Sequence, residues 1–139
     1  MIVISSAADL EAHVGQHLGH SHYVEVTQAN IDRFVDAVGD HGESPVLGYL
    51  TLALGPALLH DLLEWRNTRM GVNYGLGGVQ FGTEPTAGSR VRLGATLLAS
   101  EDLGNGGVQV TLETTFEIEG TLDRACVAEL ILRYFFTPG

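Results

Sequence analysis

VLGYLTLALGPALLHDLLEW, residues 46–65, is the stretch that decides the fold. Apolar residues fall on nearly every side of its helical wheel as far as Asp61, and a helix apolar all round is one enclosed by its own protein. A bilayer span needs about 20 apolar residues; this run is shorter and more interrupted. Pro56 removes a backbone N–H and crowds the preceding turn, so it kinks the helix or breaks it locally. The first half is expected to be the more enclosed, because charges enter only from Asp61 onward.

Downstream of this helix the period changes from 3.6 to 2. Residues 90–100 place Val91, Leu93, Ala95 and Leu97 on one side and Arg90, Arg92 and Thr96 on the other. Residues 108–119 put Val108, Val110, Leu112, Thr114, Phe116 and Ile118 on one face, and residues 125–136 form a last strand. LGNGG (103–107) is a hairpin signal, since Asn-Gly tolerates two successive left-handed residues. Residues 72–81 form a further strand, with glycines at 75, 77 and 78 marking a bulge or a close backbone approach. Strands this long accumulate twist and curl. The expected architecture is α+β: one long central helix wrapped by a curled antiparallel sheet, the hot-dog arrangement. Such a sheet leaves an edge that a second copy can cover, so a homodimer is expected.

Upstream, Ser6 caps a first helix expected over 7–18, with Leu10, His13, Val14 and His17 on one face. Residues 22–26 read as a short strand. Thr27 caps a second helix through Ile31, Phe34, Val35 and Val38, which Gly39 ends. GDHGESP (39–45) is turn chemistry. The chain reads as a single domain, 1–139, without repeats or linkers.

Net charge is −10, carried by 17 acidic residues against seven arginines. Binding nucleic acid or an anionic membrane relies on neutralising phosphates, so neither partner is expected. One cysteine excludes an internal disulfide framework. The N-terminal segment has no basic region ahead of its apolar residues, so the expected location is the cytoplasm.

Several segments together resemble the MaoC-like (R)-specific enoyl-thioester hydratases and dehydratases, in particular their NodN-like single-domain members. VTQANIDRFVDAVGD (26–40) resembles the lead into their catalytic loop, and LGYLTLALGPALL (47–59) the start of their central helix. MGVNYGLGGVQF (70–81), GSRVRLGATLL (88–98) and ACVAELILRYF (125–135) resemble their strands. The resemblance covers nearly the whole chain. It implies a substrate that is an acyl thioester or a polyketide-like small molecule, and no cofactor.

The family's motif is an aspartate followed five residues later by a histidine, the two acting on one water or hydroxyl. Asp40 matches the aspartate, and Pro45 stands at the histidine's position. The connection to the helix is also short, only HGESP. The shortening reads as a loss of hydration, as a repurposed site, or as residues missing from this sequence. His41, beside Asp40, is the stand-in acid–base group, with an ordinary imidazole pKa suited to that work. Gly48 matches the glycine whose N–H receives the thioester carbonyl at a helix N-terminus; its other reading is close packing. Tyr49, beside it, and Asn73, Tyr74 and Gln80, on the neighbouring strand, are the remaining substrate-binding candidates. Gln80 replaces a basic residue common in the subgroup, and Glu84 adds charge nearby, which weighs against recognition of coenzyme A phosphates. His13, His17, His20 and His22 crowd ten residues without a convincing ligand set, so no metal is expected.

The resemblance implies a hydro-lyase, or a lyase or cyclase derived from one, using Asp40 as proton acceptor and Gly48 N–H as oxyanion donor. The competing reading is a catalytically degenerate homologue that binds ligand or pairs with another subunit. A hot-dog thioesterase ranks lower, because it commonly needs a carboxylate early on the central helix, and Asp61 and Glu64 come late.

Overall fold

The computed structural model describes residues 1–39 and 47–138. In chain order the elements are β1 (Ile2–Ile4), α1 (Ala7–Glu11), β2 (His17–His20), β3 (Val24–Glu25), α2 (Gln28–Val38), α3 (Leu47–Ala53), α4 (Gly55–Leu58), a 3-10 turn (Leu59–Asp61), β4 (Leu63–Trp65), β5 (Thr68–Phe81), β6 (Arg90–Gly104), β7 (Gly107–Ile118) and β8 (Arg124–Phe136). An antiparallel sheet runs in the order β2-β6-β7-β8-β5, with β3 also on β6. Strands β6, β7 and β8 form the expected meander, turning at Asn105 and Gly106, both with positive φ. The alternation in the sequence sets the faces. Val91, Leu93, Leu97, Val110, Leu112 and Phe116 are fully buried under the helical segments. This is the α+β hot-dog arrangement.

The helix over 46–65 differs from expectation in two ways. It is not one helix. Pro56 cannot donate to Leu52 O, so Leu54 closes α3 with a tight bond to Thr51 O at 3.1 Å, and α4 restarts with proline in its first turn. Residues 63–65 leave the helix and pair in parallel with β1, Ile2 opposite Leu63 and Ile4 opposite Trp65. Gly55, at the break, lies directly on the sheet. A β-carbon there would stand 3.2 Å from both Leu130 and Phe116, so any larger residue would need these side chains to give way.

The burial order is also the reverse of the expected one. Leu58, Leu59, Leu62 and Leu63 are buried, whereas Tyr49 is 62% exposed and its neighbours are only half-buried. The helical segments rest on β8 and β6, and the side facing β5 stays open.

Near the N-terminus the helix expected over 7–18 stops at Glu11. Gly15, with φ +85°, turns the chain, and Gly15 N–H donates to Leu97 O at 2.7 Å. The next residues are then captured by β6 as strand β2. Ladder pairing outweighs a helical spacing whose face was only half apolar. The strand expected over 22–26 shrinks to Val24–Glu25. Helix α2 follows the reading: Thr27 Oγ1 accepts from Asn30 N–H at 3.1 Å, and Gly39 closes it in the left-handed conformation.

Candidate functional site

The open side of the helical segments forms a seam against β5. Leu52, Pro56 and His60 face that strand across two depressions, and Gly48 meets its far end. Opposite them on the sheet, Leu130, Leu132 and Tyr134 of β8 pair in register with Leu76, Asn73 and Gly71 of β5. Gly48 meets Phe81, whose Cδ1 lies 2.8 Å from where a β-carbon would stand. Phe81 also packs edge-on against Tyr49, ring centres 5.2 Å apart. Further along, two adjoining depressions of about 340 and 320 Å³ share Pro56, Asn73 and Leu132. The first is lined by Leu52, Ala53, Leu76 and Leu130 as well. The second ends at Trp65, stacked on Tyr134 with ring centres 3.6 Å apart and planes 7° from parallel. Burial raises the Tyr134 phenol pKa above its ordinary value, so the phenol stays neutral at physiological pH.

The candidate residues divide over the two sheet faces. Gly48 and Asn73 lie on the seam. Tyr74 is on the opposite face, where the Arg133 guanidinium sits 3.6 Å from its ring centre. Gln80 is on that outer face too, beside Glu113 and Glu129. Adjacent strand residues point to opposite faces, so Asn73 and Tyr74 cannot serve one pocket. Tyr49 reaches the mouth of the seam through Phe81. For Gly48 the packing reason is visible, since Phe81 occupies the space of a side chain. Asp40, His41 and Pro45 lie outside the described residues.

The histidines are dispersed. His60 lines the far end of the seam. His22 is held by Asp61, whose Oδ2 accepts from His22 N–H at 2.8 Å and also meets Nδ1 of the ring. The backbone hydrogen bond, then the ring, hold the Asp61 carboxyl below the usual aspartate range. His20 Nε2 meets Glu117 at 3.1 Å on the outer sheet face, and His13 Nδ1 meets Asp9 O. Among the described residues, no group of three or more His, Cys, Asp or Glu is placed to hold a metal ion. Cys126 is buried, and burial raises its thiol pKa, which makes it inert as a nucleophile.

Phe81, Leu52, Leu132 and the Trp65–Tyr134 pair were not singled out from the sequence. The stripe at i, i+4 from Gly48 was a usable signal for Leu52. The aromatic pair had none, because its partners are 69 residues apart in sequence.

No family model matches the chain. The chain is 41% identical to 3-hydroxyacyl-thioester dehydratase Z of Mycobacterium tuberculosis, over 96% of this chain and 99% of that protein. It is 35% identical to nodulation protein N of Rhizobium leguminosarum bv. viciae, over 96% of this chain and 93% of that protein. A MaoC-like dehydratase from Rhodospirillum rubrum superposes with a TM-score of 0.68 at 16% identity, covering 91% of this chain and 94% of that one, and so shares the fold. The two alignments to relatives run over 149 and 150 positions, more than the 139 residues present here. Both relatives therefore carry residues that this chain lacks.

Proposed function

The chain belongs to the MaoC-like hydratase and dehydratase family, and from that premise we propose that it is a hydro-lyase acting on an acyl thioester. The observation that carries the reading is its 41% identity, over 96% of this chain and 99% of the relative, to a 3-hydroxyacyl-thioester dehydratase. The apolar depression lined by Leu52, Leu76, Leu130 and Leu132 supports it, because it offers an acyl group a place beside the helical segments. In dehydration, Asp40 takes the C2 proton while the C3 hydroxyl leaves as water with a proton from an acid. The electron pair moves through the thioester carbonyl, and the N–H of Gly48 steadies the oxygen as charge develops. The reverse sequence adds water to a trans-2-enoyl thioester. Pro45 supplies no acid, so His41 is assigned that role, and we place the residues missing relative to the relatives in the segment 40–46. Asn73 and Tyr49 are assigned to substrate contact. Tyr74 and Gln80 can meet only a part of the substrate that crosses to the outer face.

The active form in this reading is a homodimer in the cytoplasm. Strand β5 is an edge strand with Met70, Val72, Tyr74 and Leu76 exposed along it, and a second copy pairing there covers both the ladder and the apolar residues. No helix among the described residues is long and apolar enough to cross a membrane.

A second reading is favoured by one feature, the proline at the histidine's position. It is a degenerate or repurposed homologue that keeps the depression and binds a thioester or polyketide-like ligand, or pairs with another subunit. Assay of trans-2-butenoyl-coenzyme A hydration and of the reverse dehydration separates them. Turnover of about 1–10³ s⁻¹ supports a working lyase. Binding without turnover supports the ligand-binding form of the second reading, and neither binding nor turnover leaves only its subunit-pairing form.

A further inference from the structure

Pairing along β5 lengthens the sheet sideways and leaves its outer face uncovered. That face carries a projection and a depression on either side of one uncharged row. The row crosses the strands through Ala99 of β6, Thr111 of β7, Ile131 of β8 and Gly75 of β5, each opposite the next in register. On one side of it the Arg133 guanidinium stacks on Tyr74, 3.6 Å from the ring centre. Arg133 Nε also donates to Gln109 Oε1 at 2.9 Å, which fixes the stack. On the other side lies a depression of about 260 Å³, lined by Gly78, Gln80, Val127, Glu113 and Glu129. Gly78 keeps it open, since a β-carbon there would meet nothing within 4 Å.

The charges follow the shapes. Glu113 and Glu129 stand directly across from each other on β7 and β8, an arrangement that destabilises a sheet on its own. Among the described residues neither carboxylate has an ion-pair partner, and neither does Arg133. Arg133 and Glu129 are about 13 Å apart along one strand, too far to pair within the chain, and Ile131 is midway between them. We propose that the outer face binds a second copy of itself, back to back, about a two-fold axis running across the strands along the Ile131 row. Such an interface needs a patch complementary to itself. This axis lays β8 on its counterpart in the opposite direction, so Arg133 faces Glu129 of the partner subunit and Glu129 faces the partner's Arg133. The Tyr74–Arg133 stack then enters the acid-lined depression of the other copy. Stacked sheets lie about 10 Å apart, a gap that these side chains bridge. Met70 and Val72 are exposed on the same face, and Tyr, Arg and Met are residues enriched at interfaces. The pairing is independent of the reaction assigned above.

Exposed ion pairs are individually weak and screened by salt, so the face joins edge-paired dimers only as concentration rises. Sedimentation of the purified full chain over a concentration series, at low and high salt, tests this. The mass should climb from dimer toward tetramer at low salt, and less at high salt. Glu129→Arg and Arg133→Glu each bring like charges together twice across the axis and should weaken this step about tenfold or more. Combined in one chain they exchange the two signs and should restore it. Ile131→Lys sets a charge against its own copy on the axis and should abolish the step; it serves if Arg133→Glu does not fold. If the single swaps take the chain to a monomer, this face holds the ordinary dimer and the β5 edge does not. A mass that does not rise with concentration and is untouched by the swaps overturns the proposal. So does a step that the single swaps leave intact, or one that the double variant does not regain.

Discussion

Phe81 lies over Gly48 so closely that a β-carbon on the glycine would stand 2.8 Å from Cδ1 of the ring. The contact ties the first turn of the central helix to the far end of β5. Gly48→Ala sets two effects against each other. Alanine gains roughly 1 kcal/mol of helix propensity, while overpacking typically costs about 1–3 kcal/mol. The expected outcome is a lower melting temperature, by a few degrees, and a weaker Phe81–Tyr49 contact. A thermal melt checks it; a higher melting temperature would show that the ring simply swings out toward solvent.

The fold was legible where a pattern was local. Alternation in residues 90–100, 108–119 and 125–136 gave the sheet, and the Asn-Gly pair gave its turn. What failed depended on distant partners. Ile2–Ile4 became a strand only because Leu63–Trp65 left the helix to pair with it, and nothing within either segment announces the other. The expected burial order failed for a related reason. Apolar residues early in the 46–65 run face a depression, and a sequence does not distinguish an apolar residue that meets core from one that meets ligand or a second copy. Asn73, singled out from the sequence, lines both depressions, whereas Gly48 lies against Phe81 outside them. Tyr74 was grouped with Asn73 only by adjacency, and the pleat separates them.

Strand β5 gives the next prediction. Val72 is on the outer face of an edge strand and 37% exposed. Lysine on such an edge opposes pairing with another chain. The wild-type chain is expected to run at twice its 14.8 kDa monomer mass in light scattering, and Val72→Lys to shift toward the monomer. A wild-type monomer at working concentration would contradict the assembly assigned here.

Asp61 makes stability depend on pH in a definite direction. Its carboxyl is held below the usual range by the His22 backbone N–H and then by the ring. A depressed folded-state pKa stabilises above the unfolded value, near 3.9, and the contribution disappears as pH falls through the lower folded value. The side chain is 35% exposed, so solvent limits the effect to below about 1 kcal/mol. Asp61→Asn is expected to be slightly less stable than wild type at pH 6, with the gap closing below about pH 4. Denaturant titrations at the two pH values measure this; a gap that widens on acidification would contradict the assignment.

The catalytic assignment turns on Asp40. A trans-2-enoyl thioester is hydrated by two groups acting together, one moving a proton at C2 and one handling the water. Removing one member of such a pair typically loses about 10²–10⁴ in rate. By the sequence reading Pro45 stands at the position of the family's histidine, so hydration of trans-2-butenoyl-coenzyme A is expected to be weak unless His41 replaces it. Asp40→Asn keeps the size of the side chain and abolishes its basicity. If Asp40 is the proton acceptor, turnover on the best substrate should fall by a further factor of about 10² or more, with the melting temperature unchanged. His41→Gln should lower it again only if the imidazole is the acid. A chain that only binds its ligand should keep its affinity in both variants. Turnover that survives Asp40→Asn intact would mean that the chemistry is done elsewhere, with the fold and the depression retained for another reaction.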